Sequence, residues 1–153
     1  MISVTHDANV LASSAVARPG GTLATIVRAW FSGRYEVVLS EHIHDELRRS
    51  LEKPYFANRL SRADRLAFAE HVRAKARAAE ITVAVSGVAT HPEDDLVLAT
   101  AVSAGADYLV TGDRKLQALG TYGDVRIVSP RQFVDILAEE ASDALDPGRP
   151  PAN

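Results

Sequence analysis

Four acidic residues stand where a carboxylate could do chemistry. Asp7 closes a strand-like stretch that begins at Ile2 and is interrupted by the polar Ser3, Thr5 and His6, and Glu46 lies in a segment with helical spacing of Ile43, Leu47 and Leu51. Asp94 sits in His91-Pro92-Glu93-Asp94-Asp95, just ahead of a long apolar run, and Asp113 follows Tyr108-Leu109-Val110-Thr111-Gly112. Carboxylates gathered in one place repel, each pair by about 4 kcal/mol at 4 Å and an effective dielectric near 20. Such a cluster needs protons or cations, and ligands that are all oxygen favour Mg²⁺ or Mn²⁺. The chain has no cysteine, which excludes a disulfide framework and thiolate metal sites. Each acid also has an ordinary structural role open to it. Asp7 can close a turn with Asn9, Asp94 can charge a helix start with Asp95 as its solvated neighbour, Asp113 can cap the helix after it, and Glu46 can pair with Arg48 or Arg49.

The elements around these residues decide between the two readings. Strands are expected at residues 2–6, 35–39, 81–85, 108–110 and 125–128, from short apolar runs bounded by turn signals. Helices are expected over 22–32, with Leu23, Ile26, Val27 and Trp30 inward, over 41–52 after a Ser40 cap, and from Ser61 or Asp64 with Leu66, Ala69, Val72 and Ala76 inward. A further helix starts at Pro92, which suits a first turn, and ends at Gly105. A short one follows Asp113, residues 120–124 form a loop, and the last helix runs from Ser129-Pro130 to residue 139 or 140. Five strands separated by helices imply an α/β fold with a mainly parallel sheet covered on both faces. Residues 1–141 make one domain, and the Pro- and Asp-rich tail from Ser142 to Asn153 is expected to be disordered. Ligands of such sheets bind outside the carboxyl ends of the strands. Asp7, Asp94 and Asp113 all fall at that edge, whereas Glu46, about 9 Å along its helix at 1.5 Å per residue, must lean inward to join them.

At 153 residues with 46% hydrophobic and 24% charged residues, the chain reads as an ordinary globular domain. It shows no secretory leader and no run long enough to span a bilayer, so a soluble cytoplasmic protein is expected. A net charge of −3 is not the overall signature of a nucleic-acid binder. The distribution is uneven, however: Arg48 to Arg77 holds nine Lys/Arg against three Asp/Glu. That strip is either a solvated helical face or a phosphate track, in which case Arg48, Arg49, Lys53, Arg59 and Arg62 lead it. His42 and His44, two apart on a helix, do not face each other and make no chelate. His6 reads as a packed residue. A phosphoaspartyl hydrolase would want an acid where Asn9 stands, and a receiver domain a lysine where Ser129 stands.

The residues also carry a resemblance. Asp7-Ala8-Asn9-Val10-Leu11, Ser40 through Glu46-Leu47, Asp94-Asp95 ahead of the apolar helix, and Ala106-Asp107-Tyr108-Leu109-Val110-Thr111-Gly112-Asp113 resemble the PIN domain. The nearest likeness is to the bacterial group described as toxin components of toxin–antitoxin systems. It spans Ile2 to Leu137 and includes Lys53-Pro54-Tyr55-Phe56 and Val128-Ser129-Pro130 with Phe133. The resemblance implies a three-layer α/β/α sandwich and a metal-dependent endoribonuclease that leaves a 5′-phosphate and a 3′-hydroxyl. Asp7, Glu46, Asp94 and Asp113 would be its acidic quartet, holding Mg²⁺ or Mn²⁺, with Asn9, Thr111 and Asp95 supporting it. An RNA substrate, a cognate antitoxin protein and a homodimer are the partners it suggests. Two positions depart from the pattern: Ala8 replaces a threonine, and His91 stands where this group often has an acid. The competing reading is a PIN-like scaffold that binds RNA or protein without cleaving.

Overall fold

A computed structural model describes residues 1–145 and 148. Within these described residues six strands form one sheet: β1 (Ser3–His6), β2 (Glu36–Leu39), β3 (Arg77–Ala78), β4 (Tyr108–Val110), β5 (Thr121–Tyr122) and β6 (Val125–Val128). Their order is β3-β2-β1-β4-β6-β5, and every pairing is parallel except that of β5 with β6. Among the described residues eight helices surround it: α1 (Ala8–Ser14), α2 (Thr22–Phe31), α3 (Glu41–Leu51), α4 (Pro54–Ala57), α5 (Arg62–Lys75), α6 (Pro92–Ser103), α7 (Arg114–Gln117) and α8 (Pro130–Leu145). α3 packs with α1, α4, α5 and α6, and α2 packs with α8 and with α1. This is the α/β sandwich that the sequence implied.

The topology places the site. From β1 the chain builds outward through β2 and β3, then returns to the other side of β1 to add β4 and β6. The reversal falls between β1 and β4, where Val4, Thr5 and His6 pair with Tyr108, Leu109 and Val110. The carboxyl ends of two such strands open a crevice because their connections leave in different directions. β1 lies fully buried in spite of Ser3, Thr5 and His6. His6 is accommodated among aromatic rings: its Nε2 is 2.9 Å from the Tyr35 hydroxyl, which donates to the Ile26 carbonyl at 3.0 Å, and Phe133 meets both rings edge-on. Burial lowers its pKa to about 3, so it stays neutral and belongs to the core, as the sequence suggested.

Several elements differ from expectation. The third strand is at Arg77–Ala78, not at 81–85. Ile81 to Val85 alternates like a strand, but the amides of Thr82 and Val83 donate to the Ser103 hydroxyl at 2.9 and 3.0 Å, and no neighbouring strand takes them. The 120–124 segment is a hairpin carrying β5, so the sheet gains a sixth, antiparallel strand. Residues 8–14 form a helix that short apolar sequence did not announce. Leu66 on α5 faces outward, while Ala69 and Val72 are buried as expected. α8 continues to Leu145, so residues 142–145 are helical, and the remainder of the expected tail (146, 147 and 149–153) lies outside the described residues.

Candidate metal centre

Each of the four acids is delivered by a different element. Asp7 follows β1, with its amide donating to the Val110 carbonyl at 2.9 Å and its side chain buried. Asp113 follows β4 and does two things: Oδ1 accepts from the Lys115 amide at 2.8 Å, capping α7, and its own amide donates to Thr111 Oγ1 at 3.0 Å. Asp94 lies in the first turn of α6, where the helix dipole favours negative charge. Glu46 lies mid-way along α3, half-buried, one residue before the fully buried Leu47. It does lean inward. Its Oε1 is 3.2 Å from His42 Nε2, one turn earlier. That nitrogen is also 3.1 Å from the Glu93 carbonyl, a pure acceptor, so it carries the hydrogen.

The four acids share one electrostatic neighbourhood. Asp7, Glu46, Glu93 and Asp94 line a cavity of about 260 Å³, and Asp94 and Asp113 line a smaller one of about 40 Å³ beside it. Burial first, then the charges of Glu93, Asp7 and Asp94, push the Glu46 pKa up to about 7. Asp94 is raised as well, by burial and then by Asp7 and Asp113. Repulsion of this kind is relieved by a proton or a cation. No lysine or arginine among the described residues forms an ion pair with any of the four, although Arg49 and Lys53 line the larger cavity. The donor set is therefore all carboxylate oxygen and, among the described residues, ion-paired to no lysine or arginine, with the Arg49 charge offsetting only part of the Glu46 shift, which fits a hard divalent ion.

The supporting residues divide. Thr111, fully buried, donates from Oγ1 to Asp7 Oδ2 at 2.8 Å and so ties the acid after β1 to the one after β4. Asn9 lines the larger cavity but is exposed, and its side chain makes no hydrogen bond among the described residues. Asp95, expected to support the quartet, is not the solvated neighbour of the alternative reading either. It is buried, and its carboxylate accepts from the amides of Gly87, Val88 and Ala89 at 3.0, 3.2 and 2.7 Å, pinning the loop before α6. A carboxylate one residue from Asp94 points elsewhere because successive helical residues are about 100° apart. Sequence reading missed Glu93 in the cavity wall and His42 as the partner of Glu46. The His42–Glu46 spacing of four was the available signal.

Arg48, Arg49, Lys53, Arg59 and Arg62 are all exposed and form no ion pairs among the described residues. Arg48 and Arg62 line a separate pocket of about 120 Å³, whereas Arg73 and Arg77, farther along the strip, are paired with Glu41 and Glu36. Outside the quartet, Glu41, His44 and Asp45 bring ligand atoms within 4.8 Å of one another, a closeness that no three of the quartet reach among the described residues. His44 is already committed, however: Nε2 faces the Ala69 carbonyl at 3.1 Å, and Nδ1 accepts from Arg73 Nη2 at 2.8 Å. A cation there would have to displace the guanidinium, so this group ties α3 to α5 and is the weaker candidate.

Fold and crevice together define an α/β sandwich whose acids converge at the switch point of a parallel sheet. The PIN domain family matches residues 3–115, and the chain belongs to that family. PIN domains are generally metal-dependent nucleases. No curated protein matches the chain significantly. Among the described residues, no helix is long and apolar enough to cross a membrane.

Proposed function

We propose that this protein is an Mg²⁺- or Mn²⁺-dependent endoribonuclease that hydrolyses RNA phosphodiester bonds, acting in the cytoplasm as the toxin of a toxin–antitoxin pair. The observation that carries the nuclease reading is the convergence of Asp7, Glu46, Asp94 and Asp113 on two adjoining cavities, where burial and then the charges of Glu93, Asp7 and Asp94 push Glu46 up to about 7. Likeness to the bacterial toxin group supports the finer assignment, with a cognate antitoxin protein as partner and a homodimer as the assembly. Residues 1–141 form the nuclease domain in this reading.

Asp7, Asp94, Asp113 and Glu46 would hold the cation. When bound, a divalent cation supplies a lowered pKa for the attacking water and charge neutralisation at phosphorus. The chain's own groups do the rest. The Thr111 hydroxyl fixes Asp7 Oδ2, so the carboxylate needs no reorientation when substrate arrives. Asp113 is fixed in the same way by its cap to the Lys115 amide. Glu46, steadied at Oε1 by His42 and lining the same cavity as Asp7 and Asp94, suits a contact to the cation or to the attacking water. Arg49 and Lys53, on the cavity wall and unpaired, suit the scissile phosphate and its neighbour.

The test is cleavage of RNA with added Mn²⁺ by wild type, Asp7→Asn and Asp94→Asn. Loss of at least a hundredfold in both variants, with folding intact by circular dichroism, is expected. Equal cleavage by all three would assign the activity to a contaminant. No cleavage by wild type, with RNA binding retained, would leave a non-catalytic scaffold.

A further inference from the structure

Tyr55 lies outside the acidic crevice, and the fold makes little use of it. It sits in α4, two residues beyond Lys53, which lines the crevice, so the two Cα atoms are at most about 7 Å apart. Its neighbour Phe56 is the residue that anchors this short helix in the core, while Tyr55 remains 54% exposed. A tyrosine left in water forgoes most of what burial of its ring would contribute. The ring is nevertheless held in place. Phe56 meets it at 84° with centroids 5.0 Å apart, and the Arg59 guanidinium lies over it, 3.8 Å from the centroid. Arg59 Nη1 also donates to the Tyr55 carbonyl at 2.7 Å, which fixes the guanidinium plane. Arg59 is therefore a stacked residue, not the simple phosphate contact its place in the basic strip suggested.

Cations predominate in the surroundings, with Glu52 an acid that lines pockets among Arg48, Arg49 and Arg62. Arg49, Lys53, Arg59 and Arg62 make no ion pairs among the described residues, so this part of the surface asks for an anionic partner. An exposed ring, a fixed guanidinium plane and flanking cations suit a nucleobase taken by its face and phosphates taken by charge. We propose that Tyr55 and Arg59 form a base-stacking subsite, against which one unpaired base of an RNA strand lies while its backbone passes Lys53 and Arg49 into the crevice. This rests on the nuclease reading and adds a requirement to it. A base inside a duplex has both faces covered by its neighbours, so the strand must be unpaired at this point.

The test measures binding of a short oligoribonucleotide without divalent cation, so that no strand is cut, beside the same strand carrying abasic residues. Tyr55→Ala should weaken binding of the complete strand about tenfold or more, the size of one base–aromatic stack, and leave the abasic strand unaffected. Tyr55→Trp should keep the affinity, and its indole should be quenched by the complete strand and not by the abasic one. The protein's single tryptophan, Trp30, is buried and leaves that signal clear. Equal binding by wild type and Tyr55→Ala, or equal quenching by the two strands, overturns the subsite and leaves the nuclease reading standing. Failure of every strand to bind at low salt also overturns the subsite, while cleavage with added Mn²⁺ decides the nuclease reading separately.

Discussion

Glu46 has a pKa of about 7 because it is half withdrawn from water and faces Glu93, Asp7 and Asp94. In the unfolded chain the same carboxyl ionises near 4.5. Between those values the folded protein keeps a proton that the unfolded chain has lost, so stability falls as pH rises from about 4.5 to about 7. His6 acts in the opposite sense: it is neutral in the fold and charged in the unfolded chain below about 6.5, so acid costs stability there. Comparison with Glu46→Gln isolates the first effect. In cation-free buffer Glu46→Gln should melt several degrees above wild type at pH 8, with the gain fading toward pH 5. Saturating Mn²⁺ at pH 8 should reverse the order, because the variant loses a ligand. A gain independent of pH would mean that Glu46 is not repelled by its neighbours. Part of this was legible in the residues, since a Glu beside an apolar helical face rarely sits there freely solvated. Which of Glu93, Asp94 and Asp95 faced the crevice was not, because three adjacent acids at a helix start differ only by rotation about the axis.

The helix α6 and the loop before it show what pattern reading gets and what it loses. Pro92, the acidic first turn and Gly105, which takes a φ of 65° just past the helix end, mark both boundaries in sequence. The alternation of Ile81, Val83 and Val85 reads equally well as a strand, and nothing local reveals that the amides of Thr82 and Val83 go to one side chain of α6, Ser103. Asp95 is the residue that decides the loop's shape, with three amides on one carboxylate. Asp95→Ala leaves those donors to water and should cost about 1–3 kcal/mol in stability. Amide exchange should then accelerate at Gly87, Val88 and Ala89 and hardly change in β1 and β4. Uniform acceleration across the sheet would show instead that Asp95 supports the whole fold. Because Ala89 and Thr90 line the small cavity with Asp94 and Asp113, activity should fall in the same variant.

At the scale of the molecule, the arrangement joins an acidic crevice at the β1–β4 switch point to a basic edge along α3, α4 and the start of α5. The strand order that creates the switch point was only partly legible, since the expected strands implied a parallel sheet without fixing which neighbours β1 would have. The net charge of −3 hid the basic edge, and only the local excess of cations showed it. Replacing Arg48, Arg49, Lys53 and Arg62 with alanine should flatten the salt dependence of RNA binding, by about 0.7 in the log–log slope for each phosphate no longer neutralised. Cation affinity should change little, and an unchanged slope would return the strip to a solvated face. The central claim is that Asp7, Glu46, Asp94 and Asp113 form one divalent-ion pocket. Crystals soaked in Mn²⁺ test it without any assumption about substrate. The account predicts an anomalous peak bounded by Asp7 and Asp94, with Glu46 and Asp113 beside it, and no such peak in Asp94→Asn. Manganese at Glu41, His44 and Asp45 instead, with none in the crevice, would contradict it.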